Sequence, residues 1–169
     1  MIKKQIERYR AGIDLLYASL DSVKPEDYHR VLVKGKMTIA QLICHISDFE
    51  PILSLRIKRL LTAEKPLLMG YNENDFLKLH AEGRDLSIEL EVYRSTRQQL
   101  LSILERTPEE DFKNQGVHSE IGKGSAFQFL CMANGHTEHH LCYMNDKREA
   151  LGLQAISVTK PEDYPPVWV

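Results

Sequence analysis

Residues 136–140 read His-Thr-Glu-His-His, and two of these imidazoles, His136 and His140, stand four residues apart. On a helix that spacing puts both side chains on one face, a turn apart. The apolar residues around them, Phe129, Met132, Ala133, Tyr143 and Met144, form a stripe. At about 100° per residue the two histidines fall at its centre, His139 falls at its edge and Glu138 points the opposite way. Two imidazoles facing a core are costly without partners, and they repel when both are protonated. A divalent ion answers both problems, because each neutral ring gives it a lone pair. The alternative is a pair of core histidines bonded to Tyr, Glu or backbone groups, and the spacing leaves both readings open. The His-Glu-x-x-His order of zinc proteases is absent.

Two histidines make a weak site, so a third ligand is expected. His45 lies at the edge of an apolar stripe formed by Ile39, Leu42, Ile43, Ile46, Phe49, Leu53, Ile57, Leu60 and Leu61. Glu50 falls near the middle of that stripe, where a carboxylate needs a cation or a donor. It is a candidate base or a partner of the ligands, unless Pro51 shifts the phase and exposes it. His29, His80 and His118 fall in loops and are expected at the surface; His139 is expected to be exposed, with a place beside the ligands or facing the substrate as the alternative. Cys44 and Cys142 neighbour the candidate ligands, but nothing in the sequence lowers their pKa, so packing is the expected role.

Four long helices must position these groups. The first runs from Ile2 to about Val23, with Ile6, Tyr9, Ile13, Leu16, Tyr17 and Leu20 on one face. Thr38 caps the second, which Pro51 should bend or interrupt. Residues 63–84 are irregular, with a short turn around Asp75–His80. The third helix covers about Asp85 to Arg106, its inward face formed by Leu86, Leu90, Tyr93, Leu100, Leu101 and Leu104. Thr107-Pro108-Glu109-Glu110 stops it, and Gly116, Gly122 and Gly124 mark a loop. Ser125 caps the fourth helix, from about Ala126 to Leu151. The fold class is therefore all-α, a four-helix bundle over residues 1–153. A tail follows over residues 154–169, and its last stretch, Thr159–Val169, is expected to be extended or disordered.

The composition agrees with one soluble domain. The chain has 169 residues, of which 43% are hydrophobic and 27% charged. A chain of this length buries about two-thirds of its unfolded surface and needs no metal merely to fold. With 22 Lys+Arg against 24 Asp+Glu, the net charge of −2 argues against a nucleic-acid partner. Three cysteines without a Cys-x-x-Cys pair indicate no disulfide framework. No apolar leader or membrane span is visible, so a cytoplasmic location is expected.

Two segments resemble known motifs. Residues 35–50, Gly-Lys-Met-Thr-Ile-Ala-Gln-Leu-Ile-Cys-His-Ile-Ser-Asp-Phe-Glu, resemble the second-helix motif of the DinB/YfiT-like superfamily. His136-Thr137-Glu138-His139-His140-Leu141, running on to Arg148-Glu149-Ala150-Leu151-Gly152-Leu153, resembles its fourth-helix motif. Each motif is short; their order and separation are more specific, and the resemblance spans residues 1–153. It implies an up-down-down-up bundle, often dimeric, so a homodimer is expected. It also implies a divalent transition metal, most often zinc or nickel, held by His45, His136 and His140. Imidazole ligands by themselves do not select among zinc, nickel, copper and iron. The activities implied are S-transfer or isomerisation with a low-molecular-weight thiol such as bacillithiol or mycothiol, and metal-dependent hydrolysis of a small molecule. An open metal position would lower the pKa of a bound water or thiol, which suits either reaction. A non-catalytic binding bundle with core histidines is the rival. The sequence departs from the family pattern at two places: Met37 replaces an aromatic before the second helix, and Tyr143 stands where Gln often follows the last ligand.

Overall fold

The computed structural model describes residues 1–159, so most of the expected tail lies outside the described residues. Four helices dominate: α1 (Ile2–Leu20), α2 (Ile39–Thr62), α3 (Leu86–Leu104) and α4 (Ala126–Ala150). The expected end of the first helix at Val23 is corrected to Leu20, and Ser22 turns the chain away with a left-handed φ of 63°. Both expected N-caps form as full capping boxes. The Thr38 hydroxyl accepts from Gln41 N at 3.1 Å while the Gln41 side chain accepts from Thr38 N at 2.9 Å. Ser125 and Gln128 repeat the exchange at 3.2 and 2.8 Å. Pro51 does not interrupt α2, which runs through it.

Side-chain contacts fix the topology. Along α1 and α4, Gln5 meets Asn134, Arg8 meets Glu138, and the Ser19 carbonyl meets Arg148, so these helices run parallel. Asp48 meets Arg84 just before α3, and Lys58 meets Gln99, so α2 and α3 are also parallel. The pairs α1–α3 and α2–α4 are antiparallel. Tyr9 O accepts from Arg97 and Leu90 O accepts from Tyr17, while His45 meets His140 and Phe49 meets His136. The order is therefore up-down-down-up, with α1 diagonal to α2. α2 is buried almost all round, because α3, α4 and the 63–84 connection all cover it. Cys44 consequently packs under that connection, its Sγ 3.5 Å from Ala81 O.

A small sheet was not expected. β1 (Leu67–Leu68) pairs parallel with β2 (Gln115–His118), which pairs antiparallel with β3 (Gly122–Ser125). Strands of two to four residues carry too little alternation to read. Gly116 is required there: a Cβ would lie 2.6 Å from the Pro66 carbonyl oxygen. The sheet also corrects the placement of His118. It points inward from β2, 4% exposed, near the Phe129 ring, and its Nδ1 accepts from Glu120 N. Glu138 is likewise not on an open face. It is 4% exposed and bridged by Arg8, because α1 packs alongside that side of α4. His29, His80 and His139 are exposed, as expected.

Candidate metal centre

Helix α4 presents His136 and His140 to the bundle interior, and α2 presents His45 opposite them. Their Nε2 atoms converge: His45 to His140 is 2.9 Å and His136 to His45 is 3.3 Å. One ligand atom from each ring lies within 4.8 Å of the others, and His45 and His140 are buried while His136 is half-buried. Ligands at about 2.1 Å from a tetrahedral ion sit roughly 3.4 Å apart, so this donor set fits a divalent cation. A neutral imidazole has one donor and one acceptor nitrogen, so three rings meeting nitrogen to nitrogen cannot satisfy one another fully. His140 is steadied by edge-on packing against His45, His136 and Tyr143, with centroids 4.5, 4.6 and 5.9 Å away. Phe49 closes one side, 4.8 Å from His136.

The rings are held neutral and ready to ligate. Burial, then His45, His139 and Lys147, pushes His140 from 6.5 to about 3. Burial and the neighbouring histidines push His136 well down, and burial lowers His45. For His140 the unfolded chain binds the extra proton first. Its stabilising effect is thus complete above about pH 6.5 and is lost as pH falls toward 3. Denaturation midpoints of the metal-free protein are expected to fall from pH 6.5 downward. Between about pH 6.5 and 5, where few carboxylates titrate, His140→Ala should flatten the slope. An unchanged slope in that window would refute the assignment.

Glu50 is fully buried, as its place in the stripe suggested, and both its oxygens are committed. Tyr9 Oη donates to one, and Arg97 Nη1 donates to the other at 3.2 Å. Arg97 also bonds Tyr93 Oη and Thr137 Oγ1, each at 2.6 Å, and Tyr9 O at 3.1 Å. Its guanidinium lies 3.8 Å from the Tyr9 ring centre. Gly12 leaves room for it, since a Cβ there would sit 3.0 Å from the guanidinium carbon. Burial pushes the Glu50 carboxyl up, and Arg97 and Tyr9 pull it back. Sequence reasoning missed Arg97, although position 97 continues the inward series Leu90, Tyr93, Leu100 and Leu104. Among the cysteines, burial pushes Cys44 and Cys131 to about 11, which makes both unreactive. No helix among the described residues is long and apolar enough to cross a membrane.

Comparison with known proteins supports the family and the fold. The sequence profile of the DinB superfamily matches residues 8–144. A proposed metal-dependent hydrolase of Oceanobacillus iheyensis is 24% identical over 83% of this chain and 80% of its own length. One of Geobacillus thermodenitrificans is 26% identical over 89% of this chain and 86% of its own. YfiT from Bacillus subtilis, a four-helix bundle of unusual topology described as a probable metal-dependent hydrolase, superposes with a TM-score of 0.83. It is 19% identical, over 90% of this chain and 89% of that one. The mycothiol-dependent maleylpyruvate isomerase superposes at 0.70 with 16% identity, over 99% of this chain and 65% of that chain.

Proposed function

We propose that this chain, which belongs to the DinB superfamily, is a metal-dependent enzyme acting on small molecules, with His45, His136 and His140 as the ligands. The observation that carries the reading is the convergence of three Nε2 atoms from two antiparallel helices at the buried centre of the bundle. Zinc or nickel bound there would supply a Lewis acid with an open coordination position. The protein's own residues do the rest. The depressed ring pKa values keep all three imidazoles available as lone-pair donors near pH 7. Phe49 limits water on one side. Glu50 acts through Arg97 and Thr137, which adjoins His136, and so serves as a positioning residue, not as a base.

The reaction proposed first is S-transfer or isomerisation with a low-molecular-weight thiol, in keeping with the thiol-dependent isomerase that shares the fold. Hydrolysis is the second reading, favoured by the names of the sequence relatives. We place the protein in the cytoplasm as a homodimer, with no nucleic-acid partner. Metal-loaded protein should be assayed with a thiol plus an electrophile, and separately with chromogenic esters and amides. Thiol-dependent turnover that vanishes in His136→Ala is the expected result. Thiol-independent ester cleavage would select hydrolysis. Full metal with no turnover in either assay would leave a binding bundle and defeat the enzyme reading.

A further inference from the structure

Beside His140 lies a cavity of about 140 Å³, walled by Lys36, Met37, Leu42, Tyr143 and Lys147. Its two charged residues are both cations. Lys147 is 1% exposed, yet its ammonium has a single acceptor, the Tyr143 carbonyl one turn back on its own helix, at 3.3 Å. Among the described residues no carboxylate forms an ion pair with it. A lysine carries three donors, and a buried cation without a counter-charge is costly, so the site lacks an anion to complete it. Lys36 stands at the rim, exposed, with its ammonium 4.5 Å from the Tyr143 ring centre. Helical side chains lean toward the N-terminus, so Lys147 reaches back along α4 in the direction of His140. Its bond to the Tyr143 carbonyl agrees with that direction.

We propose that this cavity is the anion subsite of the substrate, in which Lys147 and Lys36 hold a carboxylate or phosphate while the reacting end lies at the histidine centre. The inference rests on the proposed metal site and adds a substrate class to it. A cavity of this volume suits a short chain. Met37 and Leu42 give that chain an apolar wall. Sequence reasoning missed Lys147, although position 147 continues the inward series His140 and Met144. The pull of burial on its ammonium, which lowers its pKa, is opposed by nearby Asp146 and strengthened by Lys36.

The test is titration of the isotope-labelled protein, metal-loaded and metal-free, with succinate, inorganic phosphate and the neutral succinamide, followed by amide NMR shifts. Metal content is measured on the same samples. Succinate or phosphate should bind saturably and shift residues 36–37 and 140–147, and whichever binds tighter identifies the anion. Lys147→Met should weaken that binding by about tenfold or more and leave metal content unchanged. Lys36→Gln, at an exposed position, should weaken it by a smaller factor and serves if Lys147→Met does not fold. Equal binding by the variants, equal binding of succinamide, or no binding of either anion would overturn the subsite. Anion binding without metal in any sample would defeat the metal reading and leave the subsite standing.

Discussion

His136→Ala is expected to lower the bound transition metal from about one equivalent per chain to below about a tenth, because two imidazoles alone hold an ion poorly. Purified, tag-free protein, incubated with zinc or nickel and measured by elemental mass spectrometry, gives the answer directly. His118→Ala is the matched control. That ring is also buried, but it sits on β2 beside Phe129, and its Nδ1 is taken by the Glu120 amide. The substitution should cost some stability and no metal. His45→Ala should behave like His136→Ala, since its Nε2 faces both partner rings. Wild-type protein that takes up no metal, or His136→Ala protein that keeps all of it, would dispose of the three-histidine site. The readout is independent of turnover, so it stays informative whichever reaction the enzyme performs.

The second large effect concerns the bundle's buried charges. Glu50→Ala should destabilise the metal-free protein by about 3–5 kcal/mol, because it strips Arg97 of its counter-charge in a site closed to water. Both partners are completely buried. Arg97→Met should cost a comparable amount, leaving the Glu50 carboxylate with only the Tyr9 hydroxyl. The double variant Glu50→Leu with Arg97→Met should recover much of either loss, since an apolar pair of similar volume removes both desolvation costs. Urea denaturation midpoints for wild type, Glu50→Leu, Arg97→Met and the double variant form the cycle, with Glu50→Ala measured beside them. Single variants within about 1 kcal/mol of wild type would show that the network contributes little. The same variants separate two roles for Glu50. A positioning residue acting through Arg97 and Thr137 changes metal affinity together with Arg97→Met. A base would leave metal affinity intact and affect turnover alone.

The sequence by itself determined the four helices, their caps and the inward face of α4. Each is written within a turn or two: the Thr38 and Ser125 boxes, the Gly-marked loops, the three-four spacing that carries His136 and His140. It also placed Glu50 on a buried face, correctly for burial and without its partners. What it did not contain was which helix faces which. α2 is buried over most of its circumference, because α3, α4 and the 63–84 connection cover it together. Its stripe therefore could not say which neighbour meets His45. Packing of α1 against α4 buries Glu138, contacts from α1, α2 and α4 bury Arg97, and Lys147 is buried beside the 36–42 segment, all residues whose charge alone suggests a surface. The sheet buries His118 in the same way, through strands too short to show a period. Periodicity is a property of neighbouring residues, whereas the partner of a buried charge comes from 47 positions away in Glu50–Arg97 and 130 in Arg8–Glu138. Only packing of the whole chain brings such pairs together, and it is packing that turned three separate histidines into one centre.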